Sequence, residues 1–138
     1  MKRLLAMIKL HDWQLNEARR RVAELEALAA GFVDQIAALD AELAREERAA
    51  SGSVQARASW PAYAEAMAAR RANLEASLAR LRQELEQGKE EVSIAFQELK
   101  KYELAYEARR QKALAEANRR ETFALDEMAI EAHRRARR

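Results

Sequence analysis

The sequence contains no cysteine, and its 138 residues include only three glycines and one proline. The absence of cysteine excludes disulfides, thiolate catalysis and cysteine-ligated metals, and it suits a cytosolic protein. Long apolar runs are missing as well, because Lys9, His11 and Asp12 interrupt the first candidate. No signal peptide or membrane span is therefore predicted. We expect a soluble, intracellular protein.

Charged residues and helix formers make up most of the chain. Charged side chains account for 35% of it, with 25 basic residues against 23 acidic ones. Alanine, leucine, glutamate and arginine dominate. This composition is typical of long helices or a coiled coil rather than of a compact globule.

Apolar residues recur at alternating spacings of four and three along two segments, which is the heptad seam of a coiled coil. The first seam is Leu4, Ile8, His11, Leu15, Ala18, Val22, Leu25, Ala29, Phe32, Ile36, Leu39 and Leu43. The second is Trp60, Ala64, Met67, Arg71, Leu74, Leu78, Leu81, Leu85, Gly88, Val92, Ala95, Leu99, Tyr102 and Tyr106. The pattern dissolves between them, where Ser59 resembles a helix N-cap and Pro61 suits a first helical turn. We predict one domain, with helix 1 at 2–49, a turn at 50–59 and helix 2 at 60–136.

The two seams complement each other if the chain folds back at the turn. Pairing Leu43 with Met67 places Val22 on Gly88, so that small residues meet large ones. A slip of one heptad remains open. Helix 1 ends opposite Tyr106, and helix 2 continues for about thirty residues, roughly 45 Å at 1.5 Å per residue. The predicted fold class is all-α: a long antiparallel two-helix coiled-coil hairpin with an overhanging C-terminal helix.

No catalytic, metal or cofactor site is predicted. The only histidines, His11 and His133, lie on different arms. His11 falls at a seam position opposite Leu99, where we interpret it as a structural histidine. No glycine-rich phosphate loop is present, and two helices enclose no pocket for a substrate. We predict that the protein is not an enzyme and binds no cofactor.

Aromatic side chains near the turn are candidates for partner contacts. Trp60 and Tyr63 have seam or near-seam spacing, but the turn end of the hairpin gives them little cover, and exposed aromatics make good anchors. Met67 adds an adaptable apolar surface. Packing within the hairpin is the alternative for all three. Trp13 falls off the seam, and the sequence leaves open whether it packs or is exposed.

The C-terminal thirty residues carry mixed charge with a basic excess. Residues 109–138 hold nine basic and five acidic side chains, which leaves the rest of the chain at −2. A nucleic-acid arm would be more uniformly basic. Cations in a last turn also favour the helix dipole. Isolated helices gain most of their stability from packing, so we expect a partner to cover this arm.

Two motifs carry a resemblance to a known family. SWPAY opens helix 2, and the chain ends in LDEMAIEAHRRARR, in which the DE-x-A-x-x-A pattern spans Asp126 to Ala132. With the hairpin pattern, they resemble the flagellar FliJ family of type III export proteins, which is related to the YscO-type stalk proteins of injectisomes. The resemblance covers the whole chain, and it implies a stalk-like protein that binds the hexameric export ATPase, promotes its assembly and couples it to protein export.

The resemblance also implies partners and locations for them. It implies contact with the export gate membrane protein and with substrate chaperones, and peripheral association with the cytoplasmic face of the membrane. The complementary seams predict a monomer when the protein is free, and the mixed charge of the tail predicts no nucleic-acid partner. No small-molecule substrate is expected. The gate-facing candidates are Trp60, Tyr63 and Met67. The ATPase-facing candidates are Arg119, Arg120, Asp126, Glu127, Arg134 and Arg135. A homodimerising coiled-coil scaffold and a nucleic-acid binder acting through the basic tail are the alternatives.

Overall fold

The protein consists of two α-helices joined by a short turn. The computed structural model describes all of residues 1–138. Helix α1 spans Lys2–Ala50 and helix α2 spans Val54–Arg137, and there is no strand. The helices pack against each other and contain 96% of the residues. The predicted all-α helical hairpin is therefore confirmed.

The turn is shorter than the sequence suggested, because α2 begins at Val54 rather than near residue 60. The Ser53 hydroxyl accepts a hydrogen bond from the Ala56 amide at 3.0 Å, which makes Ser53 the N-cap. The predicted cap, Ser59, lies inside the helix and donates its hydroxyl proton to the Ala56 carbonyl at 3.2 Å. Pro61 consequently lies in the helix interior instead of its first turn.

The chain divides into two compact units. The turn unit comprises Leu15–Ile94, and the terminal unit comprises Met1–Gln14 together with Ala95–Arg138. Folding as a single domain remains a prediction. Every predicted seam position of both helices is buried or half-buried, as a coiled-coil seam requires. The most buried side chains include Leu15, Leu39 and Leu99.

Within the turn unit, the predicted register is the one that forms. A Cβ atom on Gly88 would lie 3.2 Å from Cγ2 of Val22 and 3.7 Å from Cδ1 of Leu25. Val22 and Gly88 are therefore paired as the complementary seams predicted. A slip of one heptad would separate these residues by about 10 Å along the helix axis, so this contact excludes it.

Within the terminal unit, an aromatic stack joins the two helices. The rings of His11 and Tyr102 lie 4.7 Å apart between centroids, with an interplanar angle of 16°. The sequence placed His11 opposite Leu99, whereas its ring contact is with the next seam residue. The His11 Nδ1 atom is buried without a hydrogen-bond partner. A histidine packed by its flat face in this way has the structural role that the sequence suggested.

Candidate partner-binding surfaces

The C-terminal arm, residues 107–138, is a helix without a partner in the terminal unit. It is helical to Arg137, and all its residues are exposed except the half-buried Glu116. Tyr106, immediately before it, is the last half-buried seam residue. Large apolar side chains on the arm expose more than half of their area: Leu114 53%, Phe123 66%, Leu125 58%, Met128 68% and Ile130 54%. Because such a helix gains nothing from packing within the chain, its apolar surface is available to another molecule.

The predicted charged residues of the arm are all exposed and mostly unpaired. Arg119, Arg120, Asp126, Glu127, Arg134 and Arg135 lie along its length. Only Arg135 forms an ion pair, with Nε 3.7 Å from Oε1 of Glu131. The other five make no ion pair with the chain and keep their full hydrogen-bonding capacity for a partner.

One side of the arm carries no charge. An uncharged row repeats at spacings of four and three, so its members share a helix face. Near its middle, the Thr122 hydroxyl donates to the Asn118 carbonyl at 2.9 Å, which satisfies that polar group within the helix. Small side chains in such a row let a partner helix approach closely. The row consists of Gln111, Ala115, Asn118, Thr122, Leu125, Ala129, Ala132 and Ala136.

The three candidates near the turn lie together in the turn unit and are half-buried. The rings of Trp60 and Tyr63 lie 5.9 Å apart between centroids, tilted by 41°. With Ala50 and Ser59 they line a depression of about 270 Å³. Met67 is also half-buried, at its seam position. Part of each side chain is therefore used for packing, and the rest forms an apolar surface near the turn.

The Tyr63 hydroxyl group lies in an environment that opposes its ionisation. Partial burial raises the pKa of Tyr63, and the nearby carboxylates of Glu42 and Glu46 raise it further. The phenol therefore stays neutral and able to donate a hydrogen bond throughout the physiological range. Arg45 lies near the same hydroxyl group, so the rim of the aromatic surface carries charges of both signs.

The two predicted sets of site residues lie in different units, the charged set in the terminal unit and the aromatic set in the turn unit. Sequence reasoning overlooked two further features. One is the uncharged row of the arm, which its four-and-three spacing could have revealed. The other is a group of exposed apolar residues near the N-terminus that includes Trp13, which is 61% exposed. Trp13 is therefore exposed rather than packed within the hairpin, which the sequence alone left open.

Neither a metal site nor a membrane span is found. No group of three or more histidine, aspartate or glutamate side chains is placed to hold a metal ion. Neither helix contains a stretch with the length and hydropathy that a membrane span needs.

Comparison with protein families gives a match that covers the chain from end to end. Residues 1–138 match the family described as Flagellar FliJ protein. No curated protein and no solved structure matches the chain.

Proposed function

Because the chain belongs to the flagellar FliJ family, and is thereby a component of flagellar type III protein export, we propose that it acts as a stalk for the export ATPase. In this proposal the C-terminal arm binds the hexameric ATPase, promotes its assembly and couples it to protein export. Family members are non-catalytic export components, which agrees with the prediction that this chain is not an enzyme.

The observation that carries the proposal is the helical arm that lacks an intramolecular partner. Its five large apolar side chains are each more than half exposed. A helix of about thirty residues with this surface gains its stability from packing, and nothing in the terminal unit provides that packing. A binding partner that covers the arm supplies it.

The charges of the arm support a protein partner with an acidic surface. Residues 109–138 carry nine basic and five acidic side chains, a net charge of +4. Arg134 and Arg135 can bind carboxylates in bidentate geometry, while Asp126 and Glu127 offer acceptors to cations of the same partner. Interspersed charges of both signs select one partner better than a uniformly basic arm would.

The turn end is the proposed contact for the export gate membrane protein. Trp60 and Tyr63 supply rigid aromatic area, and Met67 supplies adaptable apolar area beside them. Their partial exposure supports this role. The proposal includes contact with export chaperones, a monomeric free protein, and a location at the cytoplasmic face of the membrane beside the export apparatus.

A pair of matched substitutions tests the arm. Ala129→Trp places a bulky side chain in the uncharged row, whereas Ala113→Trp places one on another side of the same helix. Both positions are exposed, so we expect both variants to fold like the unmodified chain. We expect Ala129→Trp to weaken binding to the cognate ATPase by at least tenfold, or about 1.4 kcal/mol. Ala113→Trp is expected to bind like the unmodified chain.

The alternatives give different results in the same experiments. A nucleic-acid arm would bind duplex or single strands with a steep salt dependence and would tolerate changes at Asp126 and Glu127. A homodimerising scaffold would sediment as a dimer without the ATPase. Equal ATPase binding by both tryptophan variants would contradict the use of the uncharged row.

A further inference from the structure

The first turns of helix α1 carry exposed apolar side chains. Neither the packing of the hairpin nor the proposed stalk function uses them. Met1 is 49% exposed, Leu5 43%, Leu10 45% and Trp13 61%. Leu10 and Trp13 lie on the side away from α2, Leu5 lies at the edge of that side, and Met1, seven residues before the seam residue Ile8, lies on the seam side. The seam residues of this segment face α2 and are buried or half-buried.

Cations alternate with these apolar side chains. Lys2, Arg3 and Lys9 are exposed, and none of them forms an ion pair. Lys9 lies between Leu5 and Trp13 in their i, i+4 row. Asp12 is the only carboxylate among the first fourteen residues, and it is already engaged in an interaction within the chain. The surface is therefore apolar with an excess of positive charge, since Lys2, Arg3 and Lys9 outnumber the one carboxylate.

This combination fits an anionic bilayer. A helix that lies in the membrane interface inserts tryptophan and leucine side chains among the headgroups, while lysine and arginine contact anionic lipids. Tryptophan favours this position because its ring is apolar and its indole N–H remains hydrogen-bonded. The outer side of one helix is convex and suits a flat bilayer, whereas protein anchors are buried in pockets of their partner.

We propose that the N-terminal surface, formed by Lys2, Arg3, Leu5, Lys9, Leu10 and Trp13, binds anionic phospholipid bilayers. The helix lies in the interface with Trp13 and Leu10 inserted, and its cations remain at headgroup level. This contact is peripheral and reversible, and it concentrates the protein at the membrane independently of the C-terminal arm.

Tryptophan fluorescence tests the contact directly. The chain has two tryptophans, so Trp60→Phe leaves Trp13 as the only reporter. We expect its emission to shift to the blue with phosphatidylcholine vesicles that contain phosphatidylglycerol, and not with pure phosphatidylcholine. The shift should weaken as salt screens the cations. Lys2→Glu with Lys9→Glu should reduce vesicle binding by tenfold or more, since each cation near an anionic surface contributes about 1 kcal/mol.

A matched control uses cations of the turn unit. Arg21 and Arg80 are exposed and unpaired, and their reversal to glutamate changes the net charge by the same amount. The affinity of that variant for the vesicles should fall only slightly, because only the net charge of the protein has changed. Co-sedimentation with the same vesicles measures all variants, and circular dichroism confirms that each remains helical.

Three results would overturn the inference. One is the absence of vesicle binding at physiological salt, which would make this surface a protein contact. Another is an equal loss of vesicle binding when Arg21 and Arg80 are replaced with glutamate. The third is binding that disappears when residues 119–138 are deleted but survives Lys2→Glu with Lys9→Glu, which would assign lipid binding to the arm. Since the ATPase assay uses the arm, failure here leaves the proposed stalk function intact.

Discussion

The carboxylate of Asp40 in α1 binds the guanidinium of Arg71 in α2 through two parallel hydrogen bonds. Arg71 Nε lies 2.8 Å from Oδ1 of Asp40, and its second nitrogen lies 3.0 Å from Oδ2. Arg71 also contacts Glu75 on its own helix. Both partners of the pair are partly exposed, at 38% and 45% of their side-chain area. The pair joins the helices at a seam position where the sequence has arginine instead of an apolar residue, and it fixes their register more than their stability.

Acidification should remove the contribution of this ion pair. The hydrogen bonds from Arg71 hold the pKa of Asp40 below its ordinary value, so the unfolded chain takes up the proton more readily than the folded chain. Its stabilisation is complete above the ordinary aspartate range and is lost as the pH falls through the folded-state pKa. Asp40→Asn should lower the thermal midpoint by a few degrees at most at neutral pH and by nothing in strong acid. A difference between the two proteins that is independent of pH would contradict this.

The glycines of the two helices should respond differently to alanine. A Cβ atom on Gly31 would meet nothing within 4 Å, so Gly31→Ala should stabilise the protein by about 1 kcal/mol through helix propensity. At Gly88 the new methyl group would lie 3.2 Å from the stiff, β-branched Val22. Gly88→Ala should therefore gain less than Gly31→Ala, and Gly88→Leu should destabilise.

Chemical denaturation measures the free energy of unfolding of each glycine variant. Their free energies of unfolding can be ranked directly, because the substitutions are matched in chemistry and differ in what surrounds them. A gain at Gly88 as large as the gain at Gly31 would mean that Val22 and Gly88 are not in contact, and that the helices pair in another register.

Pro61 tests where α2 begins. Because the helix starts at Val54, Pro61 leaves the Arg57 carbonyl without its usual helical donor. Replacing Pro61 with alanine should raise the free energy of unfolding by up to about 3 kcal/mol. If α2 instead began near residue 60, Pro61 would lie in the first turn and the substitution would change little. Thermal unfolding separates the two cases.

The seams and their pairing could be predicted from the sequence because burial follows the heptad period closely. Every position that the pattern selected is buried or half-buried. The turn was predicted poorly because several serines can cap a helix, and the sequence does not rank them. Ser53 caps the helix, whereas Ser59, which the pattern favours, bonds to a carbonyl inside it.

The candidate site was predictable only in part. The length of the exposed arm could be predicted because the seam ends at Tyr106, whereas the choice of its charged residues as candidates rests on the family resemblance and stays a prediction. Leu10 and Trp13 lie off the predicted seam. Such residues can pack against the edge of the seam or remain exposed, and the structure shows that these two are exposed. The identity of a partner depends on a surface that belongs to another molecule, so residue spacing within this chain cannot determine it.

Deletion of residues 119–138 is the measurement that tests the central claim most directly. The deleted segment is exposed throughout and follows the last half-buried seam residue, Tyr106, so the thermal midpoint should be nearly unchanged. We predict that the truncated protein folds but no longer promotes assembly or turnover of the cognate hexameric export ATPase. Full stimulation by the folded, truncated protein would contradict the assignment of the arm. Loss of the fold itself would contradict the exposure of the arm's apolar side chains, because it would show that the arm packs within the hairpin.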